Sequence, residues 1–90
     1  MKKTAYLISN IEEYGKLLSF LINHDVNVYR LYWDEREKGD RCFNINWNDK
    51  MCYYSSREWY ESNRYEIIKP NFVCNQYGDY ELWRDNNETN

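Results

Sequence analysis

Residues 41 to 60 read RCFNINWNDKMCYYSSREWY, and the pattern inside them decides the fold. Phe43, Ile45 and Trp47 alternate with Asn44, Asn46 and Asn48, the period-two signature of a strand with one face buried and its Asn face in water. Asn48-Asp49 supplies turn chemistry, and KMCYYS (residues 50 to 55) returns as the hairpin partner. A one-residue slip in this pairing exchanges the faces of Met51 and Tyr53 with those of Cys52 and Tyr54. The first strand already sends three large side chains inward, so only one of Tyr53 and Tyr54 can join them. The other stands outside, beside the Asn row. Ser55 and Glu58 then have the spacing of a capping box, which predicts one or two helical turns over SREWYESN, pinned to the sheet by Trp59 or Tyr60.

The flanks supply the partners this hairpin needs. TAYLIS (4 to 9) reads as a first strand. Asn10 offers an N-cap with Glu13 three positions on, and Ile11, Tyr14, Leu17, Leu18, Leu21 and Ile22 recur at helical spacing until Asn23-His24-Asp25 ends the helix. Glu12, Lys16, Ser19 and Asn23 take the opposite face, while Gly15 weakens the helix by up to about 1 kcal/mol relative to Ala and leaves room for another element to approach closely. VNVYRLYW (26 to 33) reads as a strand, with Tyr29, Leu31 and Trp33 on one side and Val28, Arg30 and Tyr32 on the other. The charged stretch 34 to 41 is a loop. RYEIIKP (64 to 70) reads as another strand, stopped at Lys69-Pro70. NFVCNQYGDYELW (71 to 83) reads as a final hairpin around Tyr77-Gly78-Asp79, with an extended arm as the alternative. DNNETN (85 to 90) is a polar tail. The expectation is a single α+β domain over residues 1 to 84: one amphipathic helix on a mostly antiparallel sheet of four or five strands, with a short second helix.

Composition narrows the function. A chain of ninety residues has a thin core, and its ten Tyr, four Trp and three Phe must supply much of the buried area. That many hydroxyl and indole groups exceed the partners a small core offers, so some rings line the surface. A net charge of −3 disfavours general nucleic-acid binding, which needs a concentrated positive field. Neither a secretory leader nor a membrane span is expected after Met1-Lys2-Lys3, and three widely spaced cysteines suit a reducing, cytoplasmic setting. Cys42, Cys52, Cys74 and His24 lack the close-paired spacing of a zinc site, and nothing orients His24 toward a thiol. With only Gly15, Gly39 and Gly78, there is no phosphate-cradling or dinucleotide fingerprint. The expectation is therefore a chain that is not an enzyme and takes no metal or cofactor.

Two kinds of partner fit exposed rings. Tyr53 or Tyr54 with Arg30, Arg57 and Arg64 could stack the bases of single-stranded nucleic acid. Protein recognition fits better, because Tyr, Trp and Arg dominate interface hot spots. Tyr32, Tyr53, Tyr54, Arg57, Trp59 and Tyr60 are the candidate anchors, with Trp59 alternatively in the core. Homodimerisation through an aromatic face or an open edge is the rival. The run EEYGKLLSFL on the first helix, YW after it, FNIN with DKMCYY as a hairpin, and WYESNRYEII beyond resemble small accessory proteins encoded by phages and prophages of A/T-rich hosts. The resemblance covers roughly residues 10 to 68, not Asn71 to Asn90, and transfers no functional residue. It implies a stoichiometric inhibitor or adaptor acting on a host protein, such as a defence enzyme.

Overall fold

Asn10 begins the first helix as its spacing predicts: its side chain accepts the Glu13 N–H at 2.8 Å, and the Glu13 carboxylate reaches back to the Ser9 N–H at 2.8 Å. In the computed structural model, which describes residues 3–36 and 40–84, this helix, α1, spans Ile11–Asn23 and follows strand β1, Thr4–Ile8. Strands β2 (Arg41–Asn46) and β3 (Met51–Ser56) form the central hairpin, and α2 (Arg57–Ser62) leads into β4 (Glu66–Ile68). A second hairpin joins β5 (Pro70–Cys74) to β6 (Tyr80–Arg84). The 85–90 tail and residues 37–39 of the charged loop lie outside the described residues.

The architecture is α+β. A four-stranded mixed sheet has the order β3-β2-β1-β4, and β5 and β6 make a separate two-stranded antiparallel sheet. β1 pairs antiparallel with β2 and parallel with β4. The β2–β3 register sets Phe43 against Tyr54 and Asn44 against Tyr53, which resolves the slip left open by the sequence. Ile8, Phe43, Cys52 and Tyr54 face α1, whose Tyr14, Leu17, Phe20 and Leu21 complete the larger core. Ala5 and Cys42 face the other way and are sealed by Tyr60 of α2. Alternation along each strand thus supplies both cores from one sheet.

Several expectations are corrected. Residues 26–33 do not form a strand: Asn27 makes a single parallel bridge with Met51, then its side chain accepts the Tyr29 N–H at 2.8 Å and turns the chain away. Val26, Val28, Leu31 and Trp33 still pack on the larger core, while Tyr29 stands in solvent. On α1 the buried stripe passes through Phe20, leaving Ile11 and Ile22 exposed on its flank. Gly15 faces open space, so no element approaches it closely. β2 ends at Asn46, whose Oδ1 accepts the N–H groups of Asn48 and Asp49, so Trp47 is carried into the turn and lies edge-on to Phe20 at 6.2 Å. The cap of α2 is Ser56, not Ser55: its hydroxyl accepts the Trp59 N–H at 3.2 Å. The last hairpin forms as expected, with Asn75 Oδ1 bound to the N–H groups of Tyr77 and Asp79 and Gly78 at φ +85°. Among the described residues, no helix is long and apolar enough to cross a membrane.

Candidate docking surface on the terminal strand

β3 is the outermost strand on its side of the sheet, and the pleat sends Tyr53 and Tyr54 to opposite faces. Each meets further rings there.

On the α2 side, six helical residues rise only about 9 Å, whereas a six-residue strand runs about 20 Å. α2 therefore covers the Cys42 end of that face, reaches Asn44 through Tyr60 and leaves the Asn46 end only partly covered. The result is an open concavity of about 970 Å³ lined by Lys3, Asn44, Asn46, Tyr53, Trp59 and Tyr65 among others. Tyr60 forms its inner wall but is only 1% exposed, so this candidate anchor is a core residue that supports the surface instead of presenting itself. The Tyr60 hydroxyl donates to Asn44 Oδ1 at 2.6 Å, which leaves the Asn44 amide N–H groups for the groove. Burial pushes the Tyr60 phenol well above its ordinary value, with the nearby Tyr65, Cys52 and Cys42 adding to the shift, so it remains a donor at neutral pH. Trp59 packs edge-on to Tyr60 with ring centroids 4.9 Å apart and still keeps 48% of its surface exposed. Lys3 lies 5.8 Å from the Tyr65 ring centre.

On the α1 side, Tyr54 meets Tyr32 in a T-shaped contact at 5.9 Å. The Arg41 guanidinium lies 5.9, 5.7 and 5.8 Å from the ring centres of Tyr32, Trp33 and Tyr54. Burial and a hydrogen bond with Tyr32 raise the Tyr54 phenol above its ordinary value. Tyr32 and Tyr53 are each about half exposed.

Of the six candidate anchors, Tyr53 and Trp59 share the groove above Tyr60, and Tyr32 and Tyr54 share the opposite face. Arg57 stands apart from both, paired with Glu61 at 3.0 Å and Asp40 at 4.0 Å. Sequence reasoning missed Asn44, Tyr65, Trp33 and Arg41. The Asn row is visible as a polar face, but its orientation by Tyr60 depends on where α2 folds back.

The two buried thiols are held in their protonated form. Burial pushes Cys42 up to about 11 and Cys52 up to about 12, so both stay protonated near neutrality. Among the described residues, no group of three or more His, Cys, Asp and Glu side chains is placed to hold a metal ion. Compared with family models, with curated proteins and with solved structures, the chain returns no match.

Proposed function

We propose that this chain is a small, non-enzymatic protein-binding module that docks one-to-one on a protein partner through the ring clusters on the two faces of β3. One observation carries the reading: Tyr53 and Tyr54 stand back to back on a single terminal strand, Tyr53 joined on one face by exposed Trp59 of α2 and Tyr54 on the other by exposed Tyr32. Rings of this kind combine large, fairly rigid contact area with a polar tip, the composition of interface hot spots. The resemblance to phage and prophage accessory proteins makes the partner a host protein, with inhibition of a defence enzyme as the outcome of docking. The free thiols of Cys42, Cys52 and Cys74 suit a reducing compartment, which supports taking the cytoplasm as the site of the encounter.

Capture from a clarified bacterial lysate, followed by mass spectrometry, tests the reading. It predicts one host protein retained in stoichiometric amount. Capture of nothing, or salt-sensitive binding to labelled single-stranded oligonucleotides that is lost on Tyr54→Ala, contradicts it. Light scattering on the isolated chain tests the homodimer rival; the reading predicts a monomer.

A further inference from the structure

We infer that the partner enters as an extended segment that adds as a strand to the outer edge of β3; this rests on the docking reading above and gives it a geometry.

The two edges of the four-stranded sheet differ in kind. β4 has three residues and is followed by Lys69 and Pro70, features that discourage further pairing. β3 has six residues, MCYYSS, with neither a charge nor a proline to protect them. Its outer side is identified at Lys50, whose carbonyl accepts the Asn27 N–H at 2.8 Å. The planar peptide that turns the Lys50 carbonyl outward turns the Met51 N–H toward its partner Asn46 on β2, and alternation along β3 from Met51 then points the N–H and C=O of Tyr54 away from β2. Among the described residues, no backbone group is hydrogen-bonded to that side of Tyr54.

The chain itself begins such an addition. Asn27 bridges Met51 in parallel, and its side-chain turn then lifts the following residues off the edge. Beyond that bridge lies a short open stretch, closed at its far end by the start of α2 at Arg57. The group that matches an open row of N–H and C=O is another extended backbone. Alternate side chains of an added strand fall on the two faces of the sheet, one set beside Tyr53 and Trp59 and the other beside Tyr32 and Tyr54. That geometry uses both ring clusters at once. A second copy of this chain is a poorer fit, because it would bring its own α2 and residues 26–28 to the same short stretch.

Hydrogen exchange at the Tyr54 amide tests the inference directly. It is followed on the isotope-labelled chain alone and in the complex that the chain forms in clarified bacterial lysate. The inference predicts slowing by about tenfold or more in the complex. A captured partner with unchanged Tyr54 exchange overturns strand addition and leaves the docking reading standing. Failure to capture any protein overturns both. Slowing that appears in the isolated chain as its own concentration rises overturns the assignment of the edge to a different protein. A variant pair supplies an independent readout: Tyr54→Pro deletes the ring and the outward N–H while leaving the β2 ladder, whereas Tyr54→Ala deletes the same ring and keeps that N–H. Folding of each is checked by circular dichroism. Retention of the partner by folded Tyr54→Pro at least about tenfold below that by Tyr54→Ala supports strand addition, and equal retention by the two contradicts it.

Discussion

Tyr60 shows how one side chain joins the stability of this protein to its surface. Its ring seals the smaller core over Ala5 and Cys42, and its hydroxyl holds Asn44 at the groove floor. Tyr60→Phe keeps the packing and removes the donor, leaving Asn44 Oδ1 without its short bond. It is predicted to cost about 1–2 kcal/mol in urea unfolding. Glu13 makes a second residue-scale prediction. Burial raises its pKa, but the hydrogen bonds from Lys69 Nζ (2.6 Å) and the Ser9 N–H outweigh that, and the net shift is downward from the ordinary 4.5. A carboxylate depressed by folding stabilises the native state above its unfolded pKa and loses that contribution as pH falls through the folded value. Stability should therefore decline on acidification below about 4.5, and Lys69→Met should flatten that decline; denaturant midpoints measured across the acid range check both. The prominence of Tyr60 as an aromatic was legible in the sequence. Its burial was not, because period-two and helical patterns specify which residues share a face, whereas enclosure depends on where the chain returns.

At the scale of elements, α1 illustrates what local pattern resolves. Its cap, length and main apolar residues follow from Asn10, Glu13 and the spacing of Tyr14, Leu17 and Leu21. Its surroundings do not, and Gly15 turned out to face solvent. Gly15→Ala is therefore predicted to stabilise the protein by about 0.5–1 kcal/mol, seen as a higher denaturant midpoint with unchanged slope. Residues 26–33 show the opposite case. Their β-branched and aromatic content reads as a strand, yet the Asn27 side chain bonds the local backbone and breaks the ladder after one bridge. Propensity lost there to a local side-chain bond and to packing of Val26, Leu31 and Trp33 on α1. Asn27→Val is predicted to remove the turn and lower stability by about 1 kcal/mol in the same unfolding assay. The β2–β3 hairpin was legible in outline, and its register followed from three-dimensional pairing of Phe43 with Tyr54.

For the molecule as a whole, the decisive feature is unequal coverage of a single sheet. α1, residues 26–33 and the β5–β6 hairpin cover most of one face but leave Tyr32 exposed beside Tyr54, while α2 covers only part of the other. A small chain rich in rings thus leaves Tyr53 and Trp59 uncovered beside an uncharged terminal strand. The excess of rings over available core was readable from composition. Their gathering around β3 was not, since Tyr32, Arg41 and Tyr54 are separated along the sequence and meet only in the folded chain. Exposure alone does not make a docking site, and Tyr77, 78% exposed at the tip of the second hairpin, provides the internal control. The measurement is quantitative mass spectrometry of proteins captured from bacterial lysate by the wild-type chain, by Tyr53→Ala with Trp59→Ala, and by Tyr77→Ala, each first shown to be folded. One stoichiometric partner is predicted, retained by Tyr77→Ala and reduced about tenfold or more by the double substitution; equal retention by all three chains, or no partner at all, would contradict docking through β3.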